Sequence, residues 1–295
     1  MTRIAPPSGR TTTGPTGPGV LHIVPTPIGN LEDLTLRALR VLREADFIAA
    51  EDTRHTRKLL THHDIHPPLL FSYREQNART GARKLLSLLQ AGRSGALVSD
   101  AGMPLVSDPG QDLMAQLLAE GLPVVVLPGP SAFATAVVAS GLCADRFTFL
   151  GFLPRDTAQR RAELLRVRTR TETLILYEAP HRISELLADA VEVLGDRRAA
   201  VARELTKAHE QIVRGTLSDL RIRALTGELR GELAVVIEGN IGSGKDEGVD
   251  DMEALVEVAV ARVAQGMSVR DAVRETAGEA GVARGRLYRR VLERV

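Results

Sequence analysis

The chain has 295 residues, 44% of them hydrophobic and 25% charged, and a formal net charge of +1. That is enough for two modest domains, with no global attraction to nucleic acid or membrane. A single cysteine, Cys143, excludes an intrachain disulfide and a thiolate-rich metal site and fits a reducing cytosol. Aromatics make up 3% and tryptophan is absent, which argues against the base-stacking platforms of single-strand binders.

Residues 1–19, rich in Thr, Gly and Pro, lack the apolar core of a signal peptide and read as a disordered tail. From Val20, short β-rich runs alternate with helical ones. Val20–Val24 reads as a strand, and Leu31, Leu34, Ala38, Leu42 and Ala45 then recur at helical spacing. Phe47–Ala50, Ala96–Val98 and Val124–Leu127 are further strands, so residues 20–143 form a first α/β domain with a parallel sheet. Leu122 to Ala144 is the longest apolar region, but Pro128-Gly129-Pro130, Ser131 and Ser140 break it, and no membrane span is expected.

Ligands of such sheets sit beyond the carboxyl ends of the strands. The four exits here are Pro25-Thr26-Pro27-Ile28-Gly29-Asn30, Glu51-Asp52-Thr53-Arg54, Ser99-Asp100-Ala101-Gly102 and Pro128-Gly129-Pro130-Ser131. All carry polar or glycine-proline chemistry, which places the site there. Asp100 precedes a turn of small residues that lets a ligand approach the backbone. Asp108 or Ser107 caps a helix that begins at Pro109, so Asp108 reads as structural. Ser131 likewise reads as a helix cap.

A second α/β domain, residues 144–241, carries strands at Phe147–Leu150, Thr173–Tyr177, Ala199–Ala202 and Leu233–Ile237. Its best-patterned helix buries Ile183, Leu186, Leu187, Ala190, Val191 and Leu194 and stops at Gly195. Residues 242–251 read as a linker to a helical domain, 252–295. There Ser268 with Asp271 forms a capping-box pattern, and Val269, Ala272, Val273 and Ala277 face inward. Beyond Gly281 a basic helix carries Leu287, Tyr288, Val291 and Leu292, a helix-turn-helix-like pair.

Gly239 to Lys245 has the spacing of a phosphate-binding loop, but Asp246 stands where Ser or Thr must hold magnesium, and Glu247, Asp250 and Asp251 would repel a triphosphate. An NTPase is therefore disfavoured, and the stretch reads as a hinge. His55, His62, His63 and His66 crowd together without a carboxylate or cysteine to complete a ligand set, and no metal is expected. Three arginine-rich runs suggest a polyanion with a shaped footprint: Arg54, Arg57 and Lys58; Arg160, Arg161, Arg166, Arg168 and Arg170; and Arg284, Arg286, Arg289, Arg290 and Arg294. A non-catalytic RNA-binding module would not need four loaded strand exits.

The stretches "PTPIGNLEDLTLRALRVLREADFIAAEDTRHTRKLL", "SDAGMPLVSDPG", "LPGPSAFATAVVASG", "GFLPR" and "YEAPHRI", in this order, resemble the small-subunit ribosomal RNA ribose methyltransferases of the tetrapyrrole methylase superfamily. The resemblance covers residues 20 to 240, and the helical tail resembles that subgroup's small C-terminal domain. It implies two α/β domains of tetrapyrrole-methylase type, not the Rossmann methyltransferase fold, with S-adenosylmethionine held between them in a cytoplasmic homodimer. The implied reaction is methylation of a cytidine ribose 2′-hydroxyl in the decoding region of small-subunit RNA.

By motif position the resemblance implies cofactor contacts at Ile28, Gly29, Ser99, Asp100, Ala101, Met103, Ser131, Ala132, Tyr177, Glu178 and Ala179, with Leu205 and Ala234 as softer matches. Glu51, Asp52, Glu204 and Lys207 are the acid–base candidates, with His181 beside them. The alternative role of each carboxylate is a salt bridge to neighbouring Arg54 or Arg203. Arg54, Arg57, His181 and Arg182 would hold phosphate or ribose. Tyr73-Arg74-Glu75-Gln76-Asn77 replaces the subgroup's usual Tyr-His-Glu-His-Asn, leaving Glu75 and Asn77 as substrate contacts and removing both histidines as obligatory bases. A small-molecule methylase of the same superfamily is the rival, for which the arginine runs would be needless.

Overall fold

The computed structural model describes residues 17–108, 110–240, 249–280, 284–292 and 294. Residues 1–16 of the expected tail, Pro109, the phosphate-loop look-alike from residue 241 on, Gly281 and Glu293 lie outside the described residues, as does the Arg286 side chain. Contacts divide the chain into two compact units, residues 1–239 and 240–295.

The first unit contains two five-stranded sheets. In sheet one, β1 (Leu21–Ile23), β2 (Phe47–Ala50), β3 (Leu70–Ser72), β4 (Gly95–Val98) and β5 (Val124–Val126) run parallel in the order β3-β2-β4-β1-β5. Parallel strands need crossovers, and the chain supplies α1 (Leu36–Glu44), α2 (Thr53–His62), α3 (Ala78–Gln90) and α4 (Gln111–Ala119). Thr35 caps α1 by accepting the Ala38 N–H at 3.0 Å, and the helix buries Ala38, Val41 and Leu42 on one side of the sheet. On the other side Leu85 and Leu89 of α3 meet Leu113 and Leu117 of α4. With all exits on one edge, the loops after β1, β2, β4 and β5 share a rim.

Sheet two is mixed, in the order β6-β7-β10-β8-β9, from β6 (Phe147–Phe152), β7 (Thr173–Glu178), β8 (Arg198–Arg203), β9 (Gln211–Thr216) and β10 (Leu233–Ile237). One face packs on α6 (Thr157–Arg166), α7 (Ile183–Leu194) and α8 (Leu217–Leu225). The other receives α5 (Ala132–Ser140), whose Ala136 and Val137 pack on Ile175, Ala202 and Val236. So α5, expected in the domain ending at residue 143, is a layer of the second sheet. The chain changes sheets at the Pro128–Ser131 turn.

β10 runs antiparallel to both neighbours. In the second unit α9 (Val249–Ala264), α10 (Val269–Ala280) and α11 (Arg284–Leu292) surround Val256, Ala259, Val273, Ala277, Leu287 and Val291. The two helices of the expected pair are α10 and α11, α9 completes a three-helix cluster, and Tyr288 and Leu292 face outward. Among the described residues no helix is long and apolar enough to cross a membrane.

Candidate active site

The rim of sheet one is tied together by its own loops. Thr26 and Gly102 exchange N–H···O bonds of 2.9 and 3.0 Å, joining the β1 and β4 exits. The Asp52 N–H donates to Asp100 Oδ1 at 2.9 Å, and the Asp100 N–H donates to Glu51 Oε2 at 3.2 Å, a reciprocal latch between the β2 and β4 exits. Arg74 reinforces it by donating from Nε to the Glu51 carbonyl at 2.6 Å. At Gly29 a Cβ would stand 2.8 Å from the Leu205 carbonyl, so only glycine lets the β1 exit close on the turn after β8.

Where that rim faces sheet two lies a cleft of about 390 Å³, within the roughly 300–1,000 Å³ of small-molecule sites. Of the residues expected to touch the cofactor, Ile28, Ala101, Met103, Ser131, Ala132, Tyr177, Glu178, Ala179, Leu205 and Ala234 line it. Gly29, Ser99 and Asp100 line a second cavity of similar volume together with His55, Lys58 and Lys207. The two cavities share Ile28, Ala101 and Glu232.

One wall of the cleft is aromatic. The Phe133 and Phe149 rings stack at 4.9 Å, with Tyr177 5.0 Å from Phe149 and 5.6 Å from Phe152. Tyr177 Oη accepts the Phe133 N–H at 3.0 Å, and burial pushes its hydroxyl up to about 12, so it stays neutral. Scarce as aromatics are, the fold collects them here.

None of the four acid–base candidates lines the cleft, though Lys207 lines the second cavity, and each is held by neighbours. Asp52 caps α2 through the Arg54 N–H, and Arg54 and Arg74 flank its carboxylate at 2.8 and 3.2 Å. The hydrogen bonds from Arg54 hold its carboxyl well below the ordinary value. Glu51 faces a pocket of about 10 Å³ beside the cleft. Glu204, at a left-handed φ of 50°, accepts from the Glu232 N–H at 2.8 Å and from Lys207 Nζ at 3.1 Å, and the Glu232 N–H holds its carboxyl low. Burial pulls the Lys207 ammonium down, but Glu232 at 3.0 Å and Glu204 outweigh it and raise it, so Lys207 is a cation and not a base.

The substrate candidates scatter. Arg182 donates to the carbonyls of Leu153 and Pro154 and stands 3.3 Å from Glu178 Oε2, an internal brace. Asn77 bridges the Arg74 N–H and the Ser72 carbonyl. His181, Glu75, Arg54 and Arg57 are exposed and line neither cavity. Among the described residues no cluster is placed to hold a metal ion.

Sequence reasoning missed Asp108. The expected cap is not made, since α4 begins at Gln111 after Gly110, which has a φ of 126° and no side-chain cap. Asp108 lines the cleft instead, with Oδ2 buried and unpartnered. Ser131 stands at the N-cap of α5, yet its hydroxyl also lacks a partner and lies in the cleft. Glu178 Oε2 is buried there too and makes no hydrogen bond, but the Arg182 guanidinium stands 3.3 Å from it. Two buried oxygens without a partner in one cleft are what a polar ligand would satisfy. Small side chains around them leave it room.

The family model for tetrapyrrole (corrin/porphyrin) methylases matches residues 20–221, and the chain belongs to that family of S-adenosylmethionine-dependent methyltransferases. Its nearer relatives narrow the group: a Halalkalibacterium halodurans protein named ribosomal RNA small subunit methyltransferase I is 44% identical over 272 residues, 92% of this chain and 93% of that one. A Thermotoga maritima protein of the same name is 44% identical over 221 residues, 75% of this chain and 99% of its own. Among solved structures, uroporphyrin-III C-methyltransferase from Thermus thermophilus shares the fold at 24% identity, with a TM-score of 0.56 over 75% of this chain and 94% of that one. The family and the fold expected from the five sequence stretches are thereby borne out.

Proposed function

We propose that the protein methylates the ribose 2′-hydroxyl of a cytidine in the decoding region of small-subunit ribosomal RNA. The relatives' names support the RNA class. The observation that carries the reading here is the pair of adjoining cavities. One is lined by carboxylates and aromatics, and its neighbour adds His55, Lys58 and Lys207. A cationic methyl donor fits the first, and a nucleotide with its phosphate fits the second.

S-adenosylmethionine, when bound, supplies a methyl group on a positively charged sulfur. In the transfer the acceptor oxygen gains the bond to carbon, the sulfur keeps the electron pair, and the hydroxyl proton leaves to a base or water. The chain's share is alignment and exclusion of water. Ser131 Oγ offers a polar contact to the donor, the rings of Phe133, Phe152 and Tyr177 that line the cleft shield it from water, and the Asp100 latch fixes the loop between the cavities. Of the carboxylates lining the second cavity, Glu232 is neutralised by Lys207, which leaves Asp100 nearest the acceptor's side.

A homodimer in the cytoplasm is part of the same reading, and exposed Val126 on the edge strand β5 and Val138 on α5 support the homodimer. Sedimentation of the purified protein at micromolar concentration tests it.

The decisive assay supplies radiolabelled S-adenosylmethionine with small ribosomal subunits, naked RNA or a porphyrinoid. Label is expected in subunit RNA, far less in naked RNA, and mass spectrometry should map it to one cytidine ribose. Labelling of the porphyrinoid alone would overturn the RNA assignment in favour of a small-molecule methylase.

A further inference from the structure

The charged residues that line the cleft are all acidic: Asp108, Glu178 and Glu232, with no Lys, Arg or His among the described lining residues. Two already have counter-ions. Glu178 stands 3.3 Å from Arg182, and Glu232 pairs with Lys207 at 3.0 Å. Asp108 has no cationic partner among the described residues. The groups around it are Glu51 from the end of β2, Asp100 and Ser99 from the end of β4, Tyr177 from β7 and Tyr73 from beyond β3. None is a cation, and two are carboxylates.

Its backbone setting is costly too. Leu105 and Ser107 adopt left-handed φ values of 71° and 63°, conformations that are strained for non-glycine residues and persist where the surroundings impose them. Ser107 Oγ would be 3.0 Å from a Cβ at Gly151, so the loop is pressed against β6. A loop held this way, ending in an acid that caps no helix, is aimed at the cleft.

We propose that Asp108 is the charge-recognition residue of the cleft, the carboxylate left without a counter-ion so that the donor's positive charge can supply it. The methyl donor and its demethylated product differ in the charge on sulfur, so Asp108 is what makes the cleft prefer one over the other. This rests on the cofactor class and not on the acceptor, so it survives failure of the RNA assignment.

Burial, then the Glu51 and Asp100 carboxylates against a weaker opposing effect of Ser99, push the Asp108 carboxyl up to about 7. In the empty cleft it is therefore protonated below neutrality, and only the ionised fraction meets a cation. Between pH 6 and 8 that fraction rises about tenfold, and apparent affinity follows it.

Isothermal titration of the intact chain with S-adenosylmethionine and with S-adenosylhomocysteine, at pH 6 and pH 8, tests this. Wild-type affinity for the donor should rise about tenfold and that for the product less than twofold. Asp108→Asn should flatten the donor's dependence. At pH 7, donor binding to the wild type should release protons, seen as heats that depend on the buffer's ionisation enthalpy; this needs no variant. Equal pH dependence for donor and product, an undiminished dependence in Asp108→Asn, or no proton release would each overturn the proposal.

Discussion

Asp108 also shapes stability, because its carboxyl is raised from an ordinary 3.8 to about 7 by burial and by Glu51 and Asp100. A carboxyl raised on folding binds more protons in the folded protein than in the unfolded chain. Stability therefore falls as pH climbs from 3.8 through about 7, and the loss is complete above that. Asp108→Asn removes the loss. In urea unfolding without ligand, the variant should gain on wild type by on the order of 2 kcal/mol between pH 5 and pH 8. A gap that does not change with pH would mean that the carboxyl titrates normally. The residue was misread because Ser-Asp-Pro-Gly has the local chemistry of a helix start, and the left-handed Gly110 that postpones α4 leaves no mark in the pattern. Ser131 misleads in the same way, sitting at a cap position while its hydroxyl turns to the cleft. Ile28 and Ala101 on loops and Tyr177 and Ala234 on strands lie far apart in sequence, and motif order alone pointed to the one cleft that all four line.

At the scale of elements, Arg160 and Arg161 of α6 form an internal clamp, while Arg166, Arg168 and Arg170 stay exposed. Arg160 is 1% exposed and donates to Asp189 of α7 at 2.6 Å, while Arg161 bridges Asp189 and Glu192, also at 2.6 Å. Arg166 pairs with Glu163 and Arg170 with Glu172. Asp189→Ala strands a buried guanidinium and should cost about 3–5 kcal/mol in a denaturant titration. Arg166→Ala, which breaks an exposed pair, should cost less than about 1 kcal/mol. Equal costs would show that Arg160 reaches water. The carboxylates that neutralise Arg160 and Arg161 lie on another helix, so charge counted along the sequence could not find them. Two strands escaped for similar reasons. β3 has only three residues after Pro67-Pro68, and β9 pairs with β8 alone at the sheet's edge.

For the whole molecule, both cavities are built entirely from the first unit, while the second is a separate helical cluster with its own core. Its basic helix is partly neutralised within that cluster, Arg290 by Glu253 at 3.3 Å and Arg294 by Glu253 and Glu257. On α2, by contrast, Arg57 and Lys58 are exposed with no carboxylate partner among the described residues, and Lys58 also lines the second cavity. Phosphate contacts are therefore expected from α2 first, with the tail adding reach instead of chemistry. Reversing both charges, Arg57→Glu with Lys58→Glu in the full chain, should leave the affinity for S-adenosylmethionine within about twofold. It should lower kcat/KM on small subunits at least tenfold and flatten the salt dependence, since each lost phosphate contact removes counterion release. Ending the chain after Gly239 should spare donor affinity in the same way and weaken subunit methylation less than the α2 reversal does. If the truncation proves the more damaging, Arg284 and Arg289 of α11, which have no ion-pair partner among the described residues, become the principal RNA contacts.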